Sequence, residues 1–249
     1  MPRTTNPEVK PMTLRTDQIP EFGLIARERF DDASALLEKG RTTGAIYLVG
    51  YAVECILKAV LLGVVPDGQV KATYGKFREK GHSVVWLQGQ LIRRKVEIPP
   101  EIGLSLTNFT AEILDDRYDH VRIDAAQAAG MVSLARVVLG WGDEMAVRII
   151  NFKSVVRQIA AVLAPRYLGE HPGAKVDAYA TSDGVYLRIV DPAFEGQGLR
   201  ERQAIVLPYL VALPKDVLDG IRVSLLITPA EREMSMLSLE FDDPSRSLL

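Results

Sequence analysis

Two oppositely charged residues stand four apart in a markedly apolar stretch of this chain. Residues 44–63 read GAIYLVGYAVECILKAVLLG, with Glu54 and Lys58 in the middle. On a helix that spacing puts a carboxylate and an ammonium on one face, where they can pair. Leu48, Ala52, Ile56 and Ala59 form an apolar stripe at helical spacing. A membrane span would hold both charges near mid-bilayer, at a cost of about 2.5–3.5 kcal/mol each. A buried helix of a water-soluble bundle, with one polar notch, explains the same residues without that cost. Arg117 and Tyr118, in DDRYD, are candidates for the same notch. Arg117 could pair with Asp115, with Asp116 or with buried Glu54, so that Lys58 or Arg117 balances the buried carboxylate. The alternative is functional: these groups line a small polar pocket that receives a nucleotide or an RNA end.

Little else in the chain has the spacing that chemistry requires. A single cysteine, Cys55, excludes an internal disulfide and a cysteine-rich metal site, and it fits a reducing cytoplasm. His171, in GEHPG, has no second ligand at a plausible distance along the chain, so neither a metal nor another cofactor is expected. There is no phosphate-cradling Gly-Lys loop, no nucleophile elbow and no HExxH pair. Basic residues number 30 and acidic residues 32, so no global field draws the protein to nucleic acid or anionic lipid. Nucleic-acid binding would need a local patch. Arg200, Arg202 and Arg222 are candidates to touch phosphates, although a solvated helix face is the better explanation of the first two.

The elements that must position these residues fall into two groups. Residues 1–20 hold four prolines and no apolar leader, and they read as a loose tail. Ala26, Phe30, Ala33 and Leu37 define a first helix that stops at the glycine of EKGR. The opening stretch is the second helix. VVPDGQVKATYGKFREKG carries turn signals and reads as a loop. HSVVWLQGQLIRR starts a third helix, with Ser83 as N-cap. Leu106, Phe109 and Ile113 mark a fourth. Residues 124–141 make a fifth, with Ala125, Ala129, Val132 and Val138 available for burial. This half is all helical.

After about residue 147 the period changes. NFKSVVRQIAAVL is helical and APRYLGEHPG is a loop. AKVDAYA, TSDG and VYLRIV read as a hairpin. LRERQAIVLPYLVAL is a helix with Pro208 late in it, and IRVSLLI alternates as a further strand. TPAERE caps a short helix or turn. The predicted class is therefore α+β, with a helical bundle over 21–147, a small α-β-β-α-β two-layer unit over 148–236, and a tail over 237–249.

The segments ARERFDDASALL, GAIYLVGYAVECILKAVLL, GHSVVWL and DDRYD resemble the HEPN family over about residues 22–142. That resemblance implies a cytoplasmic four- or five-helix bundle, usually a homodimer, found in toxin–antitoxin or defence loci. A nucleotidyltransferase or antitoxin would be its partner. Some members are metal-independent ribonucleases that pair an arginine with a histidine four to six residues later. A histidine can move a proton near neutral pH, and an arginine can hold the phosphate. On that pattern the candidates are Arg117 for phosphate and His120 as acid or base. Here only two residues separate them, and three separate Arg78 from His82. The expected function is thus a non-catalytic HEPN protein that binds a partner protein, RNA or nucleotide. An endoribonuclease is the alternative. The segments VVRQIAAVLAPRYL, VYLRIVDPAFEGQGLRERQAIV and LLITPAE resemble BolA-like domains, which share a KH-like layout. A KH-type G-x-x-G loop is missing, since Gly196 and Gly198 are two apart, and no iron–sulfur cluster is expected.

Overall fold

The computed structural model describes residues 18–65, 67–116 and 124–242. In the first half, α1 (Gln18–Glu38), α2 (Thr42–Val64), α3 (Asp67–Lys80), α4 (Val84–Arg93) and α5 (Pro100–Asp116) lead into a long α6 (Ala125–Gln158). Helix α1 ends where the sequence predicts. Gly40 takes a left-handed φ of 68°, the Arg41 N–H reaches the Leu36 carbonyl, and the Gly40 N–H reaches that of Leu37. This pairing satisfies carbonyls that the helix end would otherwise leave open. Ser83 is the N-cap of α4 and accepts from the Trp86 N–H at 3.2 Å.

Helix α2 is the axis of the bundle. Its length and hydropathy would suit a membrane span, but 83% of the apolar window is buried within the protein. It packs on α1, α4, α5 and α6. Ile56, Leu57, Val60 and Leu61 are fully enclosed, each such side chain contributing about 1.5–3 kcal/mol. Small residues let α6 approach closely. A methyl group at Gly63 would stand 3.1 Å from Ile149, and one at Gly142 would overlap Ile56.

Helix α6 differs from the expected pattern. The fifth helix read over 124–141 and the helix read over NFKSVVRQIAAVL are one rod that runs through the region of the expected boundary. Its burial changes core along the way: Ile149 belongs to the bundle, and Val155 to the next unit. Ala125 and Ala129 face solvent, and Ala128 is the buried alanine instead. The segment expected as a loop between the second and third helices is α3. Its few apolar residues, Val70 and Phe77, still point inward.

Beyond α6 the rod continues through a π-helical turn (Ile159–Leu163) into α7 (Ala164–Glu170), where a loop is expected from the sequence. Strands β1 (Lys175–Ala180) and β2 (Val185–Val190) form the predicted hairpin, with Tyr179 opposite Tyr186 and Asp177 opposite Arg188. Helices α8 (Leu199–Leu210) and α9 (Lys215–Gly220) cross back to β3 (Ile221–Ile227), which pairs parallel to β2. The sheet order is β1-β2-β3. One face, through Val185, Leu187 and Ile189, packs with Ile159, Tyr167, Phe194 and Val206 in a second core.

The far end corrects the sequence reading. After α10 (Pro229–Met234) comes α11 (Met236–Asp242), and part of the expected tail is therefore an ordered helix. It is fixed to the opposite face of the sheet by buried Arg188. The protein is α+β, a helical bundle followed by a small three-stranded unit.

Candidate functional site

Glu54 is 1% exposed at the centre of α2. Its Oε2 lies 3.6 Å from Lys58 Nζ, the predicted one-turn partner. The same oxygen lies 3.1 Å from His82 Nδ1. Lys58 is itself almost enclosed, and its ammonium sits over the Phe77 ring at 5.8 Å. A carboxylate accepts only, so His82 donates through Nδ1–H. Nε2 is the ring's other polar atom. The His82 side chain is 59% exposed. The notch thus opens outward through an imidazole that a buried carboxylate orients.

Three rings run along the surface to this point. Tyr47 and Tyr51 meet edge to face at 5.2 Å, and Tyr51 meets His82 at 6.4 Å. One turn of α2 separates the tyrosines, which explains their stacking order. Beside Glu54, the Cys55 thiol is buried, and desolvation pushes its pKa up. It is an inert packing group.

The remaining sequence candidates are distributed elsewhere. Arg117, Tyr118 and His120 lie outside the described residues. Arg202 is held within the small unit: its guanidinium bonds Glu231 at 2.5 and 2.9 Å and donates to the carbonyls of Gln197 and Leu226. Arg200 is exposed in the first turn of α8. Arg222 is exposed on β3, and its Nε donates to the Asp183 carbonyl at 2.9 Å. The three arginines therefore sit on α8 and β3, apart from Glu54 and Lys58 on α2.

Reasoning from the sequence passes over three groups. His82 reads only as a helix start, yet it completes the notch, and no local spacing links it to Glu54. Arg188 is visible in the sequence only as part of the strand VYLRIV, yet it is 2% exposed. His171 reads as an isolated loop histidine, yet its Nδ1 lies 2.8 Å from the buried Asp191 carboxylate. Its ring stacks on Tyr167 with centroids 4.2 Å apart. Tyr167 donates to the same carboxylate at 2.6 Å. Burial, and then that bond, push the Tyr167 hydroxyl far above its usual range.

The HEPN domain family matches residues 21–145, from α1 to within α6. The chain therefore belongs to the HEPN family. No curated protein and no solved structure matches it significantly.

Proposed function

We propose that the bundle binds RNA or a nucleotide without cleaving it, as one member of a cytoplasmic toxin–antitoxin or defence pair. The row of Tyr47, Tyr51 and His82 is the observation that carries this reading. Tyr47 and His82 are exposed, with Tyr51 half-buried between them, and such rings offer faces on which bases stack, each worth about 1–3 kcal/mol. Buried Glu54 holds the last ring of the row, His82, through its Nδ1. Family membership supports a homodimer and a nucleotidyltransferase or antitoxin as partner protein. The β-β-α-β order of the small unit suits the BolA-like, KH-like kinship read from its sequence.

The test is a titration of labelled single-stranded RNA and of mononucleotides, with pull-downs from the native host. Tyr51→Ala and His82→Ala should each weaken binding about tenfold, the equivalent of 1.4 kcal/mol. Recovery of no RNA, nucleotide or protein partner refutes the proposal.

A second reading has its own observation. A buried carboxylate on His82 Nδ1 is the arrangement that prepares a histidine for proton transfer. A metal-independent endoribonuclease would use such a group, with Arg117 and His120 as the candidates carried by the family pattern. Cleavage of mixed RNA in EDTA, lost in His82→Ala or His120→Ala, decides for the enzyme.

A further inference from the structure

The outer face of the sheet presents Tyr179, Tyr186 and Arg188. The two tyrosines are cross-strand partners, stacked 23° from parallel with centroids 5.3 Å apart. Arg188 lies next to Tyr186 but one along on the same strand face. Two rings and a guanidinium on a strand surface are what small sheets use to stack single-stranded bases.

Here that surface is occupied by α11. Phe241 meets Tyr179 edge to face at 4.9 Å and lies 4.9 Å from the Arg188 guanidinium. The next residue, Asp242, accepts from Arg188 Nη2 at 2.9 Å and from Arg232 Nη2 at 3.0 Å. A planar ring set edge-on against the tyrosine pair, joined to an anion between two guanidiniums, has the outline of a nucleotide. Beside Asp242 lies a cavity of about 580 Å³, lined by the cations Lys175 and Arg232 and also by the Glu233 carboxylate.

The covering helix is attached in an unusual sense. Ser238 is fully buried and gives Arg188 Nη1 a carbonyl and a hydroxyl, both at 2.8 Å. Met236, Leu237 and Leu239 point outward, at 59%, 48% and 48% exposure. Apart from Phe241, then, α11 is held by polar contacts and leaves its apolar residues in water. An element with so little apolar burial opens at low cost. Opening does not strand a bare cation either. Arg188 keeps Asp177, which accepts from its Nε at 3.0 Å and its Nη2 at 2.7 Å.

We infer that the outer sheet face is a binding site for a nucleotide unit of single-stranded nucleic acid, and that α11 occupies it with Phe241 in the base position and Asp242 in the phosphate position. The site is separate from the bundle notch and does not depend on the function proposed for it.

The test uses the full chain and a labelled oligoadenylate of about ten nucleotides, within the site size of small single-strand binders. Phe241→Ala/Asp242→Asn should bind at least tenfold more tightly than wild type. Adding Tyr179→Ala to that variant should abolish the gain. Measured against the His82→Ala single variant, the fold-gain from Phe241→Ala/Asp242→Asn should be the same, so that failure of the notch and failure of this site are told apart. Competition by AMP as strong as by the oligomer would assign the site to free nucleotide, and weak competition to the strand. Thermal melting checks that each variant is folded. If the double variant is not, Asp242→Asn alone decides, with a smaller gain expected. A folded variant that binds no more tightly than wild type, or a gain that survives Tyr179→Ala, overturns the inference.

Discussion

Glu54 in the bundle and Arg188 in the sheet unit are both buried charges, and they are balanced by different routes. Glu54 meets Lys58 one turn along its own helix and His82 from the turn before α4. Arg188 meets Asp177 across a hairpin, and Ser238 and Asp242 at separations of 50 and 54 residues. The first balance is partly in place once α2 forms. The second exists only after the end of the chain has docked. A further contrast lies in the partners' surroundings. Lys58 is nearly as enclosed as Glu54, whereas Asp177 and Asp242 are 45% and 41% exposed.

That difference sets the order of expected effects. Glu54→Ala leaves Lys58 enclosed without its carboxylate and should cost about 3–5 kcal/mol in urea unfolding. Glu54→Leu with Lys58→Met should recover most of this, because the pair is then replaced by apolar volume. A loss below about 1 kcal/mol in the single variant would break the contrast. Arg188→Ala should cost less, about 2–3 kcal/mol, since water can reach both freed carboxylates. Its signature would be fast amide exchange in α11 with the bundle still protected.

Ser83→Ala removes the cap of α4 and should cost about 1 kcal/mol. A double-mutant cycle with Glu54→Ala should show coupling, because the capped turn carries His82.

The smallest effect concerns Glu231. Its bond to Arg202, aided by the Thr228 N–H, holds its carboxyl down to about 2 from an ordinary 4.5. A depressed folded-state pKa means the stabilisation is complete above pH 4.5 and is lost as pH falls toward 2. The carboxylate is 41% exposed, so solvent limits the effect to under about 1 kcal/mol. Glu231→Gln should flatten acid unfolding across that window and change little at neutral pH.

What the sequence discloses follows the range of the forces involved. The Glu54–Lys58 pair, the Gly40 stop, the Ser83 cap and the hairpin are visible because each depends on neighbours within a few residues. Helix α3 is hidden by its polarity: Asp67, Gly68 and Gly75 look like turn residues, and only Val70 and Phe77 mark an inward stripe. Helix α6 looks interrupted at Gly140 and Gly142, but the second of these is a contact residue against Ile56. Helix α11 has no local signature, and the burial of Arg188 needs that helix in addition to its hairpin partner Asp177. His82 is missed for the same reason, being 28 residues from Glu54.

The π-helical turn at Ile159–Leu163 works as a phase shifter in a shared rod. One surplus residue advances everything after it by about 100°. The rod has already passed from the bundle core at Ile149 to the second core at Val155, and the shift keeps Leu163 and Tyr167 on that second core. Removing solvent-facing Ala161 would restore an unbroken α-helical pitch and swing Tyr167 away from Asp191, with the bundle half of the rod undisturbed.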